Sequence, residues 1–389
     1  MKHEGEDVSL KNMEVFEGGV YEGYTDRRNN FDKYIAGLKD DTHPIWIEFN
    51  KLLDELKPNK IGISVLNVKY LSALRIIDIA RARGIRVMVG GTHPTIEPEK
   101  YDSDIIIYQG EYESRGARIK NLDDVPFPAY DILLDKYSPN GYGHLMSSRG
   151  CPYGCKFCAS KTVWGRKVTF KSPDRMVAEI IQVHDKFGTD YFTFWDETFT
   201  VNRNRLIEFC DKLRATNLPV KWRCDTRADS INDEMIKIMK ASGCGQVSMG
   251  VECGDDATLQ IIGKGESTKT IRQAAEILNN HWIQWKAYCI IGFPTDTEEI
   301  IFKSMDFIKS LKPFRITLNY FTPYKGTALY DSAFKLGLIN GTYSHSLLSH
   351  QSPHNYFCPN ISKERYQEIK EITAKEIDEY NKEALRVWK

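Results

Sequence analysis

From Lys60 to Phe321 short apolar strands keep alternating with amphipathic helices, and this alternation restricts the chain to parallel sheets with helices packed on them. "KIGISVLNV" (60–68), "RVMVGG" (86–91) and "DIIIYQG" (104–110) read as strands, and "LSALRIIDIARARG" (71–84) reads as a helix stopped by Gly84. Strand, helix and strand in so short a span form a βαβ unit. Further strands are expected in "HLMSSRG" and at 190–196, 220–226, 245–252, 285–293 and 315–321, with helical patterns between them. The helix "SPDRMVAEIIQVHDKFG" carries its own punctuation, with Ser172 at the N-cap, Pro173 in the first turn and Gly188 past the end. Six β/α units fall short of the eight that close a barrel. The expected fold class is therefore α/β: a partial (β/α)6 TIM-like barrel preceded by a Rossmann-like parallel-sheet domain.

One stretch interrupts the pattern. "DDVPFPAYDILLDKYSPNGYG" (123–143) holds Pro126, Pro128 and Pro139 and ends in Gly141 and Gly143, the composition of a linker. The expected organisation is a Rossmann-like domain at 1–122, a linker at 123–143, a barrel at 144–330, and an extension at 331–389 with a long charged helix at 362–385.

Charge narrows the function little. Lysine plus arginine equals aspartate plus glutamate at 53 each, so no overall field points to nucleic acid or a membrane surface, although a local basic groove stays open. Apolar runs such as "IGISV" and "CIIGF" are far too short to span a bilayer, and "MKHEGEDVSL" lacks the apolar centre of a signal peptide. The expected location is the cytoplasm, where nine cysteines stay reduced and serve as ligands, catalysts or core residues.

Three of those cysteines stand together in "SSRGCPYGCKFCAS" (147–160). Cys151, Cys155 and Cys158 are spaced by four and three, among Gly150, Pro152 and Gly154, which keep the segment out of a regular helix. A disulfide framework takes an even number of thiols and a zinc knuckle takes four ligands. Three thiolates on a [4Fe-4S] cluster leave one iron open, as a catalytic metal site requires. A zinc ion with a fourth ligand elsewhere is the other reading of the spacing.

"CPYGCKFC", with an aromatic residue before its last cysteine, resembles the CxxxCxxC signature of radical S-adenosylmethionine (SAM) enzymes. The resemblance implies that Cys151, Cys155 and Cys158 hold the cluster and that its open iron binds the amino and carboxylate groups of SAM. One-electron reduction then cleaves SAM to a 5′-deoxyadenosyl radical that abstracts hydrogen from a substrate C–H bond. It continues in order along the strand ends. Asp196 and Glu197 in "FWDETFT" are implied at the SAM ammonium, and Arg227 in "CDTRAD" at the SAM carboxylate or the substrate. Glu252 and Ser248 in "VSMGVECGDD" are implied near the ribose and methionine end. Ile290 and Gly292 in "CIIGFPTDTEE", with Phe157, are implied at the adenine. For each of these residues an ordinary core, turn or salt-bridge role is the competing reading.

"GISVLN", "VGGTHPT" and "QGEYES" resemble the cobalamin-binding domain found in one branch of the same superfamily, with Ser64, Leu66, Gly90 and Gly91 at the matching positions. The branch's cobalt-ligating histidine is missing: no histidine lies between His3 and His43, and Tyr21 stands near its place. Cobalamin is thus a possible but doubtful cofactor, and the domain reads as degenerate. The expected reaction is C–H functionalisation by rearrangement, isomerisation or epimerisation without cobalamin. Cobalamin-dependent radical C-methylation is the alternative, and an iron–sulfur scaffold or redox sensor is a distant third. Expected partners are a reductant such as flavodoxin or ferredoxin and a small-molecule, peptide or nucleotide substrate.

Overall fold

The computed structural model describes residues 8–11, 33–111, 118–343, 350, 352 and 354–388. Its larger sheet has six strands, all parallel. Numbering strands along the chain, the front sheet holds β1 (Lys60–Ser64), β2 (Arg86–Gly90) and β3 (Ile106–Ile107). Then come β4 (His144–Leu145), β5 (Ser148–Arg149), β6 (Thr169–Phe170), β7 (Tyr191–Phe194), β8 (Lys221–Thr226), β9 (Cys244–Glu252), β10 (Gln284–Ile291) and β11 (Arg315–Tyr320). The barrel sheet runs β11-β10-β9-β8-β7-β4, an open six-stranded wall, while β1-β2-β3 form a separate three-stranded parallel sheet. The α/β architecture expected from the alternation is the one observed. Strand β3 is shorter than the 104–110 expected, being an edge strand with Ile106 exposed. An antiparallel pair of β5 with β6 beside the cysteine loop had no counterpart in the sequence reading.

Burial along β8, β10 and β11 alternates with the pleat. On β10, Trp285, Ala287, Cys289 and Ile291 are buried, whereas Lys286, Tyr288 and Ile290 are only half-buried. The buried set joins a core that includes the helix residues Met176, Ile180, Leu206, Ile271, Ile301 and Met305, so this face of the sheet packs under the helices. The opposite face is the inner wall of the partial barrel. The helix at Pro173–Phe187 starts and stops where its punctuation directs: Ser172 accepts from Arg175 N–H, and Gly188 adopts the left-handed region at φ 69°.

An open barrel leaves two strand edges, and β11 is covered by the helix Lys363–Val387. Asn381, buried on that helix, pairs with the edge as a neighbouring strand does. Ile316 N–H donates to its Oδ1 (2.8 Å), and its Nδ2 donates to Ile316 C=O (3.0 Å). The front sheet has its own cores, one around Val65, Ile77, Val87 and Val89, the other around Trp46, Phe49, Leu53 and Ile76. Ion pairs join it to the barrel: Glu111 to Arg149 (3.3 Å), and Glu97 to Lys325 (3.6 Å). Among the described residues no helix is long and apolar enough to cross a membrane.

Asn381→Ala leaves both polar groups of Ile316 buried without partners, so a loss of about 2–4 kcal/mol is expected in urea unfolding. A change under about 0.5 kcal/mol would show that the helix does not serve as this edge's cover.

Candidate functional site

The cysteine loop crosses the carboxyl ends of the barrel strands and is held there by its backbone. Lys156 N–H donates to Ile262 C=O (2.8 Å), and Leu329 N–H donates to Lys156 C=O (3.1 Å). Close approach requires glycine at the entry to the loop: a Cβ on Gly150, which sits at φ +99°, would lie 2.6 Å from the backbone oxygen of Lys167. All three thiols of the loop are free and half-buried. Burial pushes the Cys155 thiol up and that of Cys158 up to about 11. At Cys155 the nearby Lys264 and Arg227 charges oppose that shift.

Asp196 is placed differently from its expected role. Its buried carboxylate accepts from Ser147 N–H (2.7 Å), Ser148 N–H (2.7 Å) and the Ser147 hydroxyl. Those residues lie immediately before the cysteine loop, so this carboxylate is already filled by the chain itself. Arg205, also buried, donates to Ser147 C=O (2.9 Å) and Lys171 C=O (2.8 Å) and offsets the charge. Neighbouring Glu197 has one carboxylate oxygen, Oε2, buried without a hydrogen bond, the better-placed acceptor for an incoming cation.

Arg227 lies at the centre of the charged layer. Its Nη1 is 3.8 Å from Cys155 Sγ, its guanidinium stacks 3.8 Å from the Tyr153 ring centroid, and it donates to Asp229 and to Lys264 C=O. Glu252 ends β9 at φ 65°, a conformation costly for a residue with a Cβ, and bonds Lys264 Nζ (3.1 Å). Lys264 and Glu266 were not anticipated from the sequence. Lys264 is buried between Gly263 and Gly265, both at positive φ, and Glu266 Oε2 is 3.4 Å from its Nζ and 3.7 Å from Arg227 Nη2. The signal was present in "GKGE": two glycines that turn the lysine between them inward.

At the end of β10 the positions expected at adenine come together. Phe157 packs on Phe293 with ring centroids 6.0 Å apart, and Ile290 is half-buried on the inner wall. Gly292 sits at φ +88°, where a Cβ would strike the Tyr366 hydroxyl, so part of its necessity comes from the C-terminal helix. Asp296 closes this turn, accepting from Gly292 N–H (2.8 Å) and Phe293 N–H (3.0 Å). Ser248 is buried on the inner wall, its hydroxyl beside the Asp225 carboxyl and the Tyr288 hydroxyl.

The donor set suits an iron–sulfur cluster. It offers three half-buried thiols in a glycine-rich loop, with the cations Arg227 and Lys264 at hand to offset thiolate charge. No group of three or more His, Cys, Asp or Glu side chains that would hold a single metal ion occurs among the described residues, including around His354 and Cys358.

In the front sheet, Ser64 and Leu66 are exposed, as an edge open to a flat ligand requires. The histidines there are engaged. His43 caps a helix through Nδ1, and His93 is buried, stacked on Tyr70 (4.1 Å) and bonded to Tyr101 (2.9 Å). Gly91 lets the backbone pass Val65, whose oxygen would be 2.8 Å from a Cβ. Tyr21 lies outside the described residues. Among them, no histidine is set to ligate cobalt.

Known proteins resemble this chain in sequence and in fold. Residues 145–308 match the Radical SAM superfamily. The chain is 28% identical over 349 residues to an uncharacterized methyltransferase of Pyrococcus horikoshii, covering 79% of this chain and 76% of that one. Other relatives are named as a bacteriochlorophyllide d C-12(1)-methyltransferase of Chlorobaculum tepidum, a cytidylyl-2-hydroxyethylphosphonate methyltransferase of Streptomyces wedmorensis, and an anaerobic magnesium-protoporphyrin IX monomethyl ester cyclase of Synechocystis. Among solved structures, the radical SAM methyltransferase TsrM of Kitasatospora setae, with tryptophan and a SAM analogue bound, aligns with a TM-score of 0.63 at 13% identity. That alignment covers 91% of this chain and 86% of TsrM. The cobalamin-dependent radical SAM enzyme OxsB, with aqua-cobalamin and SAM bound, aligns with a TM-score of 0.57 at 17% identity, over 84% of this chain. This chain spans about half the length of OxsB (54%). At these identities the likeness to both structures is one of fold.

Two outcomes test the site. Asp196→Ala should destabilise the fold by roughly 3 kcal/mol and lower iron uptake on anaerobic reconstitution, because two buried N–H groups lose their acceptor and buried Arg205 loses its opposing charge. Asp296 supplies a pH signature. Burial pushes its carboxyl up to about 7, so the folded chain holds this proton more tightly than the unfolded chain does. Its stabilising share is whole below the ordinary value of 3.8 and is lost as pH rises toward about 7. Relative to Asp296→Asn, the wild type should lose up to about 4 kcal/mol across that window in pH-dependent urea unfolding. Parallel profiles for the two proteins would refute it.

Proposed function

We infer, from the membership of this chain in the radical SAM superfamily, that it is a radical SAM enzyme transferring a methyl group to a carbon atom of its substrate. The observation that carries the reading is the breadth of the match to the Pyrococcus horikoshii methyltransferase, which includes the front sheet as well as the barrel. The comparisons support methyl transfer over the rearrangement or epimerisation expected from the sequence.

Cys151, Cys155 and Cys158 would hold the cluster, which supplies one low-potential electron to a bound sulfonium. The chain's own residues do the rest. Arg227 and Lys264 offset thiolate charge from the barrel side, and Tyr153 fixes the Arg227 plane. Glu197 and Glu252 are assigned to the ammonium and ribose of SAM, and Ile290, Phe157 and the Gly292 turn to its adenine. Asp196 acts as a positioning residue for the loop. The exposed edge around Ser64 and Leu66 is the assigned seat for cobalamin if one is used. We assign the electron to an external donor of flavodoxin or ferredoxin type. The domain limits 1–122, 144–330 and 331–389 are proposed on the same basis.

The test is anaerobic turnover of the reconstituted chain with methyl-deuterated SAM, a reductant and a metabolite extract. Expected are S-adenosylhomocysteine and a product heavier by the labelled methyl group. 5′-Deoxyadenosine without either would assign the chain to hydrogen abstraction alone. Cys155→Ser should abolish both products, lowering turnover by at least about a thousandfold, since a lost ligand removes the electron's point of entry.

A further inference from the structure

The segment that carries the three thiols holds no carboxylate. Between Ser147 and Pro173 its charged residues are Arg149, Lys156, Lys161, Arg166, Lys167 and Lys171, all cations, in a chain whose formal net charge is zero. Arg149 is engaged by Glu111 (3.3 Å) and Lys171 by Glu179 (2.6 Å). Lys156, Lys161, Arg166 and Lys167 are exposed, and none of them forms an ion pair among the described residues. Other surface cations are matched: Arg81 to Asp102, Arg203 to Glu234, Lys303 to Asp255 and Arg365 to Glu298. The unmatched four therefore make a local basic surface on a neutral chain.

That surface is built on the cysteine loop itself. Lys156 stands between Cys155 and Cys158, its backbone clamped to Ile262 and Leu329 and its stem against Gly263. The Arg166 guanidinium lies over Gly154, where a Cβ would meet Nη2 at 2.7 Å, and the Lys167 carbonyl lies over Gly150. Lys161 is on the short helix Ser160–Trp164 that follows Cys158. Buried Arg227 and Lys264 occupy the barrel side of the thiols, so the four exposed cations mark the solvent side. Pro152 and Gly154 are exposed there, and Gly154, next to Cys155, has no side chain to cover it. Ile261, 42% exposed beside the Lys156 clamp, adds an apolar contact. Electron-transfer encounters use small interfaces and depend on complementary charge to steer them, which this surface provides. A nucleic acid also fits positive charge, but four cations release few counterions, and such binding fades as salt rises.

We propose that Lys156, Lys161, Arg166 and Lys167 form the docking surface for a small acidic electron-carrier protein, which delivers its electron through the solvent side of the cysteine loop. One electron leaves the reduced carrier and one enters the cluster, with no bond made or broken and no proton moved. The proposal rests on the radical SAM reading and adds to it the place and the charge of the partner.

The experiment is stopped-flow reduction of the full, cluster-loaded chain by two acidic carriers in separate arms, reduced flavodoxin and reduced [2Fe-2S] ferredoxin, with dithionite as the small-molecule reference. In at least one carrier arm the bimolecular rate should fall about tenfold or more when Lys156→Gln, Lys161→Gln, Arg166→Gln and Lys167→Gln are combined, and should fall likewise as ionic strength rises. Calorimetric binding of the oxidised carrier should weaken in parallel, while iron content and reduction by dithionite stay unchanged. The same change at exposed Lys186, Lys221, Lys240 and Lys382 should alter the carrier rate less than about twofold, since those charges lie beyond the screening length of the docked partner. Carrier rates indifferent to the combined substitution in both arms, or lowered equally by the distant one, overturn the proposal. Transfer RNA binding that the combined substitution abolishes, with carrier reduction untouched, also overturns it and assigns the surface to nucleic acid. If Arg166→Gln lowers iron uptake, the three lysine substitutions decide. A chain that the carrier reduces through these residues but that leaves SAM intact would sink the reaction assignment and leave the docking surface standing.

Discussion

A carboxylate buried with no access to water depends on its own chain for partners. Asp196 at the end of β7 takes the backbone N–H groups of Ser147 and Ser148. Arg149 alone separates them from Gly150, where the chain turns into the cysteine loop. The interaction therefore sets where the loop begins relative to the barrel, and Arg205 keeps the arrangement affordable by offsetting the charge. Everything at the mouth inherits this placement. The anchoring of Lys156 to Ile262 and Leu329, the approach of Arg227 to Cys155 and the packing of Phe157 on Phe293 all follow from it.

The second constraint is electrostatic. Three thiols gathered in one loop at the strand ends would need compensating charge to ionise together, and the chain supplies cations beside them with side chains fixed by other contacts. Lys264 is held between two glycines and two carboxylates, and Arg227 between Asp229 and the Tyr153 ring. Such residues reorganise little when a charged cofactor binds, the condition under which buried electrostatics are most effective. The left-handed backbone of Glu252 belongs to the same layer, a local strain retained because the carboxylate must point across Gly250 toward Lys264.

Beneath this layer the inner face of the barrel wall stays polar. The sheet achieves this through the two-residue period of its strands. Trp222, Cys224, Trp285, Ala287 and Cys289 turn to the helices, while Arg223, Asp225, Lys286 and Tyr288 turn inward. One set of strands thereby serves both the apolar core and a polar chamber. The buried cysteines Cys224 and Cys289 fall on the core side, with thiols raised by burial, as small hydrophobic residues would be.

Much of this was legible in the chain. The alternation of apolar strands with capped helices dictates parallel sheets, because period and punctuation are local properties of sequence. The three thiols and their glycines are likewise local, and they announce a bulky metal occupant. What the sequence left open depends on contacts between residues far apart. Asp196 read as a cofactor contact, and the structure adds bonds from Ser147 and Ser148 to its carboxylate, since nothing local reveals partners 49 positions away. Lys264 and Glu266 escaped notice because only folding brings them to Glu252 and Arg227. Asp225, Ser248 and Lys286 form a row across the inner wall only in register, and register is set by how whole strands pack.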